Sequence, residues 1–305
     1  MDILTYDAIA PRLSWVDAVE ALRAGHRLAR PVIRDLFLDS PDGTMLTRSA
    51  HLPGLGYGTK SVTVVPENAA RGLPSVQGAM LVFDDDAGAL RCVIDSRLVT
   101  EFKTAADSVL GARILARPDS THLLIVGAGT VSRSLVQAYG AAFPGLERVS
   151  VWARRPEQAQ ALAAEAGSPL PVRAVTDLQS ALANADIVST ATMATAPVLH
   201  GDWVRPGTHV DLIGAFRADM READDTLIST GALFVDSRNT TIDHIGELTI
   251  PIAAGIIAKE AVLGDLYDMV GGAPGRETAD QVTLFKNGGG AHLDLMMADY
   301  IARNA

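Results

Sequence analysis

Apolar positions along the chain follow two rhythms that change near Pro118. Over 14–30 they fall at helical spacing (Val16, Val19, Leu22), behind a capping pattern in which Ser14 stands three positions before Asp17. Short segments rich in β-branched residues come next, at 32–38, 44–51, 58–65, 76–83 and 89–94. Turn residues separate them, and 84–88 reads as a hairpin loop with Gly88 supplying positive φ. Strands so spaced predict an antiparallel sheet or a partly closed barrel. A second helix is predicted over 97–117, stopped by Pro118.

Beyond Pro118 strand patterns alternate with helical ones. The run 123–126 is continuously apolar, 131–142 is helical, 149–152 is a strand, and 156–166 is helical with Pro156 in its first turn. The rhythm continues through 172–175, 178–183, 187–191, 209–213 and 233–236. Such alternation predicts a parallel sheet with helices on both faces. There is no internal repeat or low-complexity stretch. The tail 281–305 reads as a loop and then a helix, and the pattern leaves open which half it joins.

Composition narrows the function classes. A chain of 305 residues, 48% hydrophobic and 20% charged, is a folded protein of about two domains. Acidic residues outnumber basic ones, 36 against 26, which argues against a nucleic-acid binder. The single Cys92 excludes a disulfide framework and any multi-cysteine zinc site, and the seven histidines show no ligand spacing, so no metal is expected. No apolar run reaches the roughly 18 residues of a membrane span, and the first residues lack the basic-then-apolar order of a signal peptide. A cytoplasmic protein acting on small molecules is the expectation. No Gly-x-Ser-x-Gly elbow supports acyl transfer.

The most informative stretch is LLIVGAGTVS at 123–132. A buried strand enters Gly127-Ala128-Gly129 and then a helix beginning at Thr130 and Val131. Gly127 permits a tight turn, and Gly129 lets the backbone approach a pyrophosphate at the positive end of a helix. Ser132 replaces the third glycine of the fingerprint; the strand–turn–helix setting carries the assignment. The next strand ends in Ala153-Arg154-Arg155, where an NAD-specific site usually places a carboxylate. Two guanidiniums suit a 2′-phosphate, so NADP(H) is the expected cofactor and NAD(H) the second choice. Thr190, at the end of a strand pattern, completes the cofactor contacts expected from this pattern.

In the first half, Arg48 and Lys60 sit inside strand patterns, and Lys60 shares a face with Val62 and Val64. Such a lysine either reaches water from a strand end or holds an anion in a pocket.

The chain resembles the ornithine cyclodeaminase/mu-crystallin family along essentially its whole length. The resemblance is carried by TRSA at 47–50, GTKSV at 58–62, GLPSVQGAM at 72–80 and FKTAADSVLGARILARPDS at 102–120. VGAGTVS at 126–132, GAFRADMRE at 214–222 and TLFKNGGGAHLDL at 283–295 complete it. It implies an α/β protein: a Rossmann-type doubly wound parallel sheet that binds NAD(P)(H) over 118–280, plus an α+β substrate-binding and dimerisation domain over 1–117, completed by 281–305. Arg48 matches the arginine that clamps a substrate α-carboxylate, and Lys60 the lysine beside the reacting carbon. Both are the expected catalytic residues. Ser75 falls where cyclodeaminases carry a threonine, and Lys103 where many members carry arginine, so the carboxylate fork is lost there. Phe216 falls at or next to the cyclodeaminase catalytic aspartate; the loop around it is similar to the reductase and mu-crystallin type, with Asp219 and Glu222 organising it. The segment 287–290 is one that in the family passes close to the nicotinamide, so the resemblance implies a cofactor contact at Asn287. The implied function is NADPH-dependent reduction of a cyclic ketimine, such as Δ1-pyrroline-2-carboxylate, by a homodimer. The alternatives are ornithine or lysine cyclodeamination, or small-ligand binding of the mu-crystallin type.

Overall fold

A computed structural model describes residues 2–165, 167–168 and 170–305; residue 166, the last of the helix expected over 156–166, lies outside the described residues. The chain divides into two compact units, Met1–Lys103 with Gly290–Ala305, and Thr104–Gly289. The expected breaks at 117/118 and 280/281 therefore move to 103/104 and 289/290. Packing within the second unit explains both shifts. The later turns of the helix Ser96–Leu115 lie against a strand near the C-terminus: a Cβ at Gly111 would stand 2.7 Å from the Phe285 ring, and the Leu115 carbonyl accepts a 3.1 Å hydrogen bond from Thr283 Oγ1.

The first unit is built on an open six-stranded sheet, not a barrel. Its strands are β1 (Asp2–Leu4), β2 (Val32–Ser40), β3 (Gly43–Leu52), β4 (Gly56–Val64), β5 (Val76–Phe83) and β6 (Leu90–Asp95), in the order β1-β6-β5-β4-β3-β2. All neighbours are antiparallel except β1 and β6. Gly88 takes φ +68° in the β5–β6 loop, where Asp84 accepts backbone N–H bonds from residues 86 to 89. The first long helix, Trp15–Gly25, starts where Ser14 Oγ accepts from the Asp17 N–H at 3.3 Å. It stops five residues short of the expected end. Arg27 and Leu28 bond three residues back, and Pro31 bars Arg30 from helical geometry. Helix Ala291–Arg303 packs closely on it, since a Cβ at Gly25 would meet Met296 Sδ at 2.4 Å.

The second unit carries eight parallel strands: β7 (His122–Val126), β8 (Arg148–Trp152), β9 (Val172–Ala174), β10 (Ile187–Thr190), β11 (His209–Leu212), β12 (Ala232–Val235), β13 (Val262–Asp265) and β14 (Thr283–Lys286). Their order is β13-β12-β14-β11-β10-β7-β8-β9. Leu124, Val126, Val188, Val210, Leu212 and Val235 are fully buried in its core. Strand order reverses between β7 and β10, which places the ligand crevice of such sheets at their C-terminal ends. The stretch expected as loop at the start of the tail is instead β14, paired with β11 and β12 in the middle of the sheet. Four residues ending in a lysine do not read as a central strand. Here Lys286 is nonetheless fully buried, its ammonium bonded at 2.7 Å to the carbonyls of Leu212 and Asn287. No helix among the described residues is long and apolar enough to cross a membrane.

Candidate active site

Strand register in the first unit assembles the cationic residues. Asp35, Arg48, Lys60, Met80 and Ile94 stand opposite one another in a single row across β2 to β6. Arg48 and Lys60 are thus direct cross-strand neighbours, an arrangement of like charges that costs stability. Two carboxylates offset it. Asp35 Oδ2 accepts from Arg48 Nε at 2.9 Å and from its terminal Nη2 at 2.8 Å. Asp294, in the first turn of helix Ala291–Arg303, accepts from Lys60 Nζ at 2.6 Å, and Thr100 Oγ1 lies 3.3 Å from the same nitrogen. Burial pushes Lys60 below the ordinary lysine range, with Asp294 opposing the shift and Lys103 and Arg48 adding to it. Lys103 is itself buried and acts on both members of the pair. Arg48, Lys60 and Lys103 therefore form one cluster. Ser75 does not join it: it precedes β5, five residues from Met80, or about 16 Å along a strand. Its carbonyl is occupied by the Val65 N–H.

In the second unit a cleft of about 330 Å³ opens at the strand-order reversal. It is walled by Gly127, Ala128 and Gly129 after β7, by Arg154 and Arg155 after β8, and by residues 191–194 after β10. Gly127 has φ +124°, and a Cβ there would strike the Ala191 carbonyl oxygen at 2.5 Å, so only glycine fits. A Cβ at Gly129 would touch no protein atom within 4 Å and would project into open space at the start of helix Thr130–Ala142, which has no side-chain cap. A pyrophosphate suits such a cradle: backbone N–H groups of Thr130 and Val131 point outward at a positive helix end. Ser132, where the fingerprint has its third glycine, is fully buried under the turn. Arg154 and Arg155 are exposed, and neither is tied into an ion pair among the described residues.

Thr190 and Asn287 do not line this cleft. Thr190 is fully buried and donates to Glu222 Oε2 at 2.6 Å, while Asn287 Nδ2 donates to the Thr104 carbonyl and to Ser108 Oγ. Both shape the loops from beneath. Glu222 ties two of those loops together, accepting from the Thr192 N–H, Thr192 Oγ1 and the Gly214 N–H at 2.7–2.8 Å. A Cβ at Gly214 would lie 2.1 Å from the Thr192 carbonyl, which fixes that residue as glycine. Below them, burial raises Asp211 and Glu247 to about 7 and Asp236 to about 6, around the buried ammonium of Lys286. Asp236 Oδ2 accepts from the Gly288 and Gly289 N–H groups, holding the glycine segment in place.

Phe216 projects from the loop after β11 with 55% of its surface exposed. The nearby Asp219 is engaged by both Arg217 Nε and Nη2 at 2.9 and 3.0 Å, and that bond holds its carboxyl below the usual range. Asp35 and Asp294 were absent from the expected site. Asp294 had a signal: a carboxylate inside the apolar helical run 293–297 must be paired if it is buried. No group of His, Cys, Asp and Glu among the described residues could hold a metal ion.

A parallel sheet with a dinucleotide cradle at its reversal point, together with a unit that gathers two lysines and an arginine, defines a nicotinamide-dependent protein of small anionic substrates. The sequence pattern of the ornithine cyclodeaminase/mu-crystallin family matches residues 19–305, and the chain belongs to that family. It is 67% identical over 302 residues to the Δ1-pyrroline-2-carboxylate reductase of Paracoccus denitrificans, covering 98% of this chain and 96% of the relative. Among solved structures, the Δ1-pyrroline-2-carboxylate reductase of Thermococcus litoralis in complex with NADH and L-proline superposes with a TM-score of 0.93 at 27% identity, covering 100% of this chain and 97% of the other. An archaeal alanine dehydrogenase dimer with bound NAD superposes with a TM-score of 0.91 at 26% identity, covering 100% and 96%.

Proposed function

We propose that the protein is a Δ1-pyrroline-2-carboxylate reductase that uses a nicotinamide dinucleotide to make L-proline. The observation that carries this reading is the joint presence of the Gly127–Gly129 cradle and the Arg48–Lys60 pair in a chain 67% identical to a reductase of that name. Gly127, Ala128, Gly129 and the first turn of helix Thr130–Ala142 hold the pyrophosphate, and Arg154 and Arg155 hold the adenosine ribose end. When bound, the reduced nicotinamide supplies a hydride to the imine carbon. Arg48 and Lys103 take the substrate carboxylate, and Lys60 stands at the C=N group as proton donor to nitrogen, so negative charge does not build there. The test is the loss of reduced-nicotinamide absorbance on adding the ketimine, with L-proline identified as product. No turnover with either cofactor would overturn the reading.

The cofactor is the phosphorylated form. Neither arginine after β8 faces a carboxylate in the cleft, and each charge-assisted hydrogen bond to a 2′-phosphate contributes roughly 1.5–3 kcal/mol. NADPH is expected to bind about tenfold or more tightly than NADH, and Arg154→Ala to erode that margin. A fluorescence titration giving equal affinities would remove the claim.

The working form is a homodimer in the cytoplasm, where reduced nicotinamide is supplied. Strand β2 is a nine-residue sheet edge with Leu36, Phe37 and Leu38 all more than half exposed, and a long apolar edge invites pairing. A second copy related by a twofold axis covers it. Light scattering at micromolar concentration should give twice the chain mass, and Phe37→Lys should shift it towards the monomer.

A further inference from the structure

Lys60 sits where an ammonium is hard to keep. It is buried, Arg48 stands directly opposite on β3, and Lys103 adds a third positive charge from helix Ser96–Leu115. Desolvation and both neighbours favour loss of its proton. The histidines near the cluster give no compensation: burial holds His292 neutral, at about 3, with His26 and the cations reinforcing the effect. Asp35 is spent on Arg48. The anion that faces Lys60 is Asp294, fully buried, at 2.6 Å. Burial alone would protonate Asp294; the charges of Lys60, Lys103 and Arg48 outweigh it and hold the carboxyl below its usual range. Asp294 Oδ2 is enclosed and accepts no hydrogen bond, so the carboxylate depends on the cationic cluster for its charge.

We propose that Asp294 is the positioning residue for Lys60: their ion pair keeps Lys60 an ammonium, with one N–H bond directed at the carboxylate, a second at Thr100 Oγ1 and the third left for the substrate, and so makes it the proton donor. The proposal rests on the reductase reading for its chemistry. As the C2–H bond forms from the hydride, the C=N π pair moves to nitrogen, nitrogen takes a proton from Lys60 Nζ, and the resulting neutral amine regains a proton from water. The role of Asp294 ends at Lys60; it touches no reacting atom.

The experiment compares wild type, Asp294→Asn and Asp294→Glu in two ways. The first needs no substrate: trinitrobenzenesulfonate, whose ring is attacked only by the neutral amine with loss of sulfite, is applied near pH 7, and Lys60 modification is followed by peptide mass spectrometry. Asp294→Asn is expected to raise the rate at Lys60 about tenfold or more, because an opposite charge at this distance shifts the balance by at least that factor. Asp294→Glu should stay near wild type. The second is the pH profile of ketimine reduction. Loss of the anion lets the ammonium be lost sooner as pH rises, so the alkaline limb of kcat/KM should move to lower pH in Asp294→Asn and return in Asp294→Glu. Should Asp294→Asn fail to fold, the wild type still decides: rapid labelling of Lys60 near pH 7 would overturn the proposal, and so would unchanged labelling in a folded Asn variant. Normal labelling results without ketimine turnover would sink the reductase reading and leave the ion pair's role intact.

Discussion

Replacing Arg48 by alanine is expected to lower kcat/KM for ketimine reduction by about 30-fold to several thousand-fold while leaving the fold nearly intact. A carboxylate drawn into a partly dry pocket without its cation costs roughly 2–5 kcal/mol, and that range converts to the stated loss. Stability should change little, for two reasons. The Arg48–Asp35 pair is partly exposed, so its own contribution is small. Removing Arg48 also relieves the like-charge contact with Lys60 across the β3–β4 ladder. Arg48→Lys should recover only part of the activity, because Arg48 already uses two nitrogens to hold Asp35 and an ammonium lacks that fork. Steady-state kinetics beside a thermal melt separates the two effects. Wild-type turnover in Arg48→Ala would mean that the substrate carboxylate binds elsewhere.

The strand patterns show Arg48 and Lys60 separately and the family resemblance puts both in one site, but their direct cross-strand contact is a matter of register. Their alignment depends on the β3–β4 hairpin, whose turn at 53–55 sets which residues face each other. The cradle was legible because its requirements are local: strand, two glycines and helix follow one another in the chain, and Gly127 and Gly129 do what their positions demand. Thr190 points to the cofactor side because it ends a strand at the right edge, and Asn287 because the family's segment there passes close to the nicotinamide, but both side chains turn inward and are consumed by internal hydrogen bonds. The tail was the hardest segment. Lys286 breaks the apolar pattern of β14, and the carbonyls that satisfy it come partly from β11, more than seventy residues away in sequence. Asp294 was hidden for the same reason: its partner lies on β4, at a separation of 234 residues.

Conversion of ornithine to proline is expected to run at least about a hundredfold slower than reduction of Δ1-pyrroline-2-carboxylate. Cyclodeamination must oxidise an α-amine, expel ammonia, close the ring with the distal amine and return the hydride. These steps need a carboxylate to bind the distal ammonium and move protons, and a positioned acid–base group contributes roughly a hundredfold to ten-thousandfold. By resemblance, the position of that aspartate falls at Phe216, whose ring can neither accept a proton nor pair with an ammonium. Asp219 is the nearby acid in the same loop, and it is a poor replacement. Both of its oxygens are held by Arg217, the bond keeps it below the usual carboxylate range, and its side chain is mostly in solvent, where a bound ammonium gains little. Glu222 is no substitute either, because its two oxygens are committed to Thr190, Thr192 and Gly214 and are closed off from solvent. Reduction makes no such demand: the ring is already closed, and one hydride and one proton complete it. The measurement sets ammonia release and proline formation from ornithine with catalytic NADP+ beside ketimine reduction by NADPH. Phe216→Asp should raise the ornithine rate if the missing carboxylate is what limits it. Faster conversion of ornithine than of ketimine by the wild type would return the protein to the cyclodeaminases.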